Sequence, residues 1–138
     1  MTTLEPAPSR RIGRSVLAVL GGLVAIFALS TAMDELMYAL GVFPRPPAVT
    51  YETTPYLIAT AYRAAIGVVG CWLAGRLAPS RPMRHALILG GIGVLFSGAG
   101  VAVSLAVDMG PIWYPVALVV VTLPCAWLGG RFAERGRA

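Results

Sequence analysis

The stretch ALILGGIGVLFSGAGVAVSLAV, Ala86–Val107, decides the fold, because it carries no charged side chain from end to end. As a helix rising 1.5 Å per residue it measures about 33 Å, enough to cross the ~30 Å hydrocarbon core of a bilayer. Three more stretches of the same kind account for most of the rest: Ser15–Met33, Tyr56–Gly75 and Ile112–Gly130, with Arg63 the one charge among them. The pattern predicts an all-α four-helix transmembrane bundle, with spans at about 14–40, 55–77, 85–107 and 112–132 in a single integral membrane domain, 1–138.

Composition agrees. Of the 138 residues 57% are hydrophobic and 12% charged, about half the charged fraction of a soluble globular domain. All 11 basic residues are Arg, and Lys, Asn and Gln are absent, which leaves no Asn-linked glycosylation site and points to a GC-rich bacterial genome. The net charge of +5 is not gathered with aromatics on one face, as nucleic-acid binding would require.

The arginines flank the spans instead. Arg10, Arg11 and Arg14 precede the first, Arg76, Arg81 and Arg84 lie around the second connection, and Arg131, Arg135 and Arg137 follow the last. Only Arg45 lies in the other connections. This asymmetry predicts an inner-membrane protein with both termini and the middle connection cytoplasmic, the 41–54 and 108–111 loops outside. Ser9-Arg10-Arg11 ahead of an apolar run also looks like a twin-arginine signal. Its uncharged run is long for a signal core, however, and apolar residues resume at Leu36-Met37-Tyr38-Ala39-Leu40, which favours a retained first helix.

An internal echo links the halves. Leu20-Gly21-Gly22 through Phe27 matches Leu89-Gly90-Gly91 through Phe96, and Trp72-Leu73-Ala74-Gly75-Arg76 matches Trp127-Leu128-Gly129-Gly130-Arg131. Two tandem helical hairpins would explain it. Common selection at membrane interfaces would also place Trp before Arg at a cytoplasmic end.

Inside lipid, packing faces are marked by small residues that let backbones approach. Gly90, Gly93, Ser97, Gly100 and Ser104 form such a stripe in the third span, and Ala18, Gly22, Ala25 and Ala32 in the first. In the second span Gly67, Gly70 and Ala74 continue outward as Arg63, Thr60 and Tyr56. These faces predict a compact bundle, with a kink at Pro124 in the fourth span.

Arg63 is the informative residue. Thirteen positions before Arg76, it lies about 20 Å above the cytoplasmic edge, too deep for an interfacial cation. The acids at the end of the first span, Asp34 and Glu35, lean toward it. Glu35, three residues after Ala32 on the inferred packing face, is the expected partner, with Asp34 pointing roughly opposite. The candidate polar site is therefore Arg63, Glu35, Asp34, Thr60 and Tyr56: either a buried pair docking two helices, or the lining of an outward vestibule in which Tyr38 also takes part.

Other residues read as structural. Cys71 and Cys125 are packing thiols, and His85 is expected among headgroups. The Trp and Tyr residues near the span ends form interfacial belts. The proline-rich 41–54 loop is stiff enough to cap a vestibule or meet a partner. No metal cluster, nucleotide loop or catalytic constellation occurs, so neither enzyme activity nor a cofactor is expected.

Thr60-Ala61-Tyr62-Arg63, Leu77-Ala78-Pro79-Ser80-Arg81-Pro82-Met83-Arg84-His85-Ala86-Leu87 and the stretches Trp113-Tyr114-Pro115 and Leu123-Pro124-Cys125-Ala126-Trp127-Leu128-Gly129-Gly130 resemble an uncharacterised family of short bacterial four-span membrane proteins. The resemblance covers the last three spans and implies architecture without activity. The expected role is a small structural or accessory membrane subunit, associating with itself as a homo-oligomer or with a larger complex through its small-residue faces. The alternative is a minimal oligomeric transporter or channel with an outward-facing site around Arg63.

Overall fold

The computed structural model describes residues 8–137, which form four helices: α1 (Pro8–Ala39), α2 (Thr53–Leu77), α3 (Pro82–Ala106) and α4 (Trp113–Arg135). Each is long and apolar enough to cross a bilayer, so the chain is a multi-pass membrane protein. α1 starts at Pro8, six residues before the expected span, because the arginine-bearing segment Arg10–Arg14 continues the helix beyond its apolar part. It stops at Gly41, whose φ of +73° closes a Schellman cap in which Val42 N–H reaches the Met37 carbonyl at 3.0 Å. α3 opens with Pro82 in its first turn, where a missing N–H costs nothing.

The helices converge at the arginine-rich end. Gly22 on α1 faces Gly70 and Ala74 on α2 and Leu89 on α3, and a Cβ at Gly22 would come within 2.6 Å of the Gly70 carbonyl oxygen and of Leu89. Gly129 on α4 lies as close to the Val68 carbonyl, and Gly130 to Met83. Glycine is required at Gly22 and Gly129 because two backbones meet there, whereas the close neighbour of Gly130 is the Met83 side chain. The resulting core is Cys71, Ala74, Ala86, Leu89 and Ala126.

The other end is open. Buried residues of α3 are confined to His85, Ala86, Leu89 and Gly90, in its first third. α2 touches all three other helices, whereas α1 meets α3 only lightly and does not reach α4 within the described residues. Expected compactness therefore fails along α3, while Ser30, Tyr56, Ala59 and Pro115 remain buried in the same half. Gly90 and Gly93 pack against Ala126 and Thr122 of α4, but a Cβ at Gly100 would meet nothing within 4 Å. The α3 stripe borders a cavity along its whole length and packs on α4 only at Gly90 and Gly93.

The α1 seam also differs from expectation. Its contact line runs through Ala18, Gly22, Ile26, Ser30 and Asp34, while Ala32 is exposed. Spacing by fours follows one ridge of the helix rather than a heptad stripe, so the face rotates steadily around the axis. That rotation carries the far end of the seam past Glu35 and onto Asp34.

Candidate functional site

Arg63 projects from α2 toward the loop-bearing end and donates from Nη2 to Asp34 Oδ2 at 2.6 Å. The neighbouring Tyr62 hydroxyl donates to the other oxygen, Oδ1, at 2.5 Å. One carboxylate thus receives a cation and a phenol from adjacent residues of α2. The pair is not sealed: the side chains of Arg63 and Asp34 are 32% and 28% exposed. Tyr114 of α4 stands beside the guanidinium, and Arg63 Nε is buried with no hydrogen-bond partner among the described residues.

Glu35 is not the partner of Arg63. It lies on the exposed side of α1, where it meets Arg45 of the following loop at 3.4 Å, both side chains more than half exposed. The cause is the seam spaced by fours, which turns position 34 inward and position 35 outward. Thr60 likewise gives nothing to Arg63, since its hydroxyl donates to the Tyr56 carbonyl of its own helix at 2.8 Å. Tyr56 is buried, and its hydroxyl donates to the Thr50 carbonyl at 3.1 Å, with the Met109 carbonyl at 3.5 Å. It joins the two far-end loops, and its ring packs against Phe43, Trp113 and Tyr114.

Two cavities meet at this cluster. A vestibule of about 400 Å³ lies on the loop side, with Asp34, Tyr38, Tyr62 and Arg63 in its walls and Phe43 to Thr50 of the proline-rich loop over it. A crevice of about 520 Å³ runs from the same level toward the arginine-rich end, between α3 and the other helices, down to Cys71 and Cys125. Arg63, Tyr56, Met109 and Tyr114 line both. Both spaces are mostly apolar in lining, and Arg63 stands at the level where they meet, with Asp34 on the vestibule side.

Tyr62 and Tyr114 are the site residues that sequence reasoning missed. Tyr62 carried a signal in being adjacent to Arg63 at the same depth. Tyr114 looked like one more interfacial aromatic, and only the packing of α4 on α2 brings it to the guanidinium. His85, expected among headgroups, is instead buried, with Nδ1 3.1 Å from the Arg81 carbonyl oxygen one turn earlier. The sharp α2–α3 connection, with Arg81 at φ +47°, turns this first part of α3 into the bundle. Cys71 is buried in the core and Cys125 half-buried. No group of three His, Cys, Asp or Glu that could hold a metal occurs among the described residues.

Comparison with protein-family models, with curated proteins and with solved structures gives no match.

Proposed function

We propose that this chain is a small non-enzymatic membrane protein that binds a ligand in the cavities around Arg63, in the manner of a minimal transporter or of the binding subunit of a larger one. In this reading it sits in a bacterial inner membrane, with the termini and the α2–α3 connection in the cytoplasm and the vestibule open to the outside. Its kinship is with the short four-span bacterial membrane proteins that its last three spans resemble.

One observation carries the reading: Arg63 lines two cavities and Asp34 one of them, and neither side chain of the pair is sealed by packing. A purely architectural ion pair is expected in a dry seam with its hydrogen-bonding groups filled. Intramembrane charges beside open space are characteristic of ligand and ion pathways. The volumes also fall in the range of small-molecule sites, roughly 300–1,000 Å³.

Thiol accessibility tests this. In a Cys71→Ala, Cys125→Ala background, Tyr114→Cys in sealed vesicles is expected to react with a membrane-impermeant maleimide added from the loop side. A reaction no faster than that of Leu105→Cys, on the exposed face of α3, would overturn the proposal.

The accessory-subunit reading is favoured by a different observation. Val24, Ala28, Ala32 and Glu35 line a shallow depression on the outward face of α1, which no other helix in the fold covers. Native mass measurement in mild detergent distinguishes the two, since a self-contained binding protein requires no stoichiometric partner on α1.

A further inference from the structure

The crevice below Arg63 is shaped for a molecule that arrives from the lipid rather than from water. On α3 its wall runs from Ser104 to Leu89, fifteen residues or about 22 Å. That is longer than one leaflet, half of the ~30 Å hydrocarbon core, so the wall reaches past the mid-plane of the membrane. The wall is mostly apolar; its one charge and its phenols, Arg63, Tyr56 and Tyr114, stand near the loop end, with the hydroxyls of Ser97 and Thr122 deeper. Gly100 keeps the slot wide.

The side of the slot is also open. α1 and α3 are held together across it by an edge-to-face contact of Phe27 and Phe96, ring centroids 5.7 Å apart. Both rings line the crevice, yet they are 53% and 55% exposed on the outer surface of the bundle. Phe27 lies thirteen residues from Arg14 and Phe96 twelve from Arg84, so both sit near mid-membrane, about 18–20 Å from the arginine-rich edge. Beyond them Val103, another wall residue, is half exposed, so the crevice wall reaches the outer surface in the loop-side half as well. A hydrocarbon chain lying there exchanges one apolar surrounding for another, whereas water in the slot would find few polar partners.

We infer that the crevice holds a single-chain amphiphile that enters laterally between α1 and α3, its chain along the α3 wall and an uncharged oxygen acceptor of its head at Arg63 and Tyr114. The head is uncharged because Asp34 already balances the guanidinium, and a second anion would compete with it in a medium of low dielectric constant. This rests on the reading that the cavities around Arg63 bind a ligand, and names the ligand's class.

The test is photolabelling of the full chain in lipid nanodiscs, with a long-chain fatty acid methyl ester carrying a diazirine in its chain, and with the corresponding free acid. Expected are adducts on crevice residues such as Ser97, Val121 and Thr122, competed by unlabelled ester, and stronger for the ester than for the acid. Gly100→Leu fills the slot without meeting another atom at its Cβ and is expected to weaken crevice labelling about tenfold, equivalent to about 1.4 kcal/mol, with thermal unfolding unchanged. Phe96→Ala, which removes the ring contact between α1 and α3, should speed labelling. Adducts confined to lipid-facing positions such as Leu105 and Val120, indifferent to Gly100→Leu, would overturn the inference, and stronger labelling by the acid would overturn the uncharged head. If crevice labelling fails while Tyr114→Cys still reacts from the loop side, the lipid ligand is wrong and the vestibule reading stands; if Tyr114→Cys is silent, that reading is the one that fails.

Discussion

Asp34 and Arg63 are joined across α1 and α2 at 2.6 Å, while Glu35, one residue along and of the same charge, turns away to Arg45 in the loop. The two acids therefore differ in what their loss should cost. Asp34→Asn leaves a largely enclosed guanidinium without its counter-charge; the full penalty of about 3–5 kcal/mol for a buried pair shrinks, with both side chains about one-third exposed, to about 1–3 kcal/mol. Glu35→Gln should cost less than about 1 kcal/mol. Denaturant unfolding in detergent micelles checks the ratio, and the double variant Asp34→Leu, Arg63→Leu should be more stable than Asp34→Leu alone.

Close backbone approach at Gly22 makes it the sensitive glycine of α1. A methyl group there would press on the Gly70 carbonyl and the Leu89 side chain, so Gly22→Ala should destabilise by about 1–3 kcal/mol through overpacking. Gly91, its counterpart in the internal echo, has nothing within 4 Å of a Cβ, and Gly91→Ala should be neutral or mildly stabilising because alanine is the better helix former. Thermal unfolding of the two variants side by side provides the comparison.

Tyr51 links the two far-end loops by donating its hydroxyl to Asp108. That hydrogen bond, reinforced by the negative charge of the acceptor, raises the phenol above its ordinary value of about 10. Because the folded-state value is the higher one, the tether contributes at neutral pH and is lost as pH rises through that raised value, when phenolate and carboxylate repel. An ultraviolet titration of wild type against Tyr51→Phe should show the Tyr51 phenolate appearing late, and Asp108→Ala should bring its midpoint down.

At the arginine-rich end, Arg137 donates to the carbonyls of Gly75, Arg76 and Ala78, where α2 runs out of intrahelical partners, and Arg76 returns a bond to the Gly136 carbonyl at 2.8 Å. A cation on the last carbonyls of a helix is worth about 0.3–1 kcal/mol when exposed. Arg137→Ala should lower stability by about that amount, an effect that salt attenuates in the wild type and not in the variant.

The site was legible only in part. Arg63 announces itself by depth alone, since a cation about 20 Å from the nearest arginine-rich edge cannot reach the headgroups on that side. Its partner was not legible, because choosing between Asp34 and Glu35 means knowing whether α1 packs along a heptad stripe or along a ridge spaced by fours. Ala18 and Gly22 fit both, Ala25 favours the heptad stripe, and Ile26 and Ser30, which mark the ridge, carry no distinctive signal. Tyr114 illustrates a different limit, as belt aromatics are common in any bundle and only the contact of α4 with α2 selects this one.

Four apolar lengths determined that the chain forms four membrane-spanning helices, because hydrocarbon forces every backbone hydrogen bond inside its own segment. Which faces meet was decided in three dimensions. In lipid, apolar side chains gain nothing by turning inward, so hydrophobic periodicity gives no bearing, and rotation of each helix is settled by a few backbone contacts such as Gly22 on Gly70 and Gly129 on Val68. Those contacts all lie toward the arginine-rich end. For that reason α3, packed on α4, has little contact with α1 and α2, and a stripe of small residues that reads as a seam becomes the wall of a crevice.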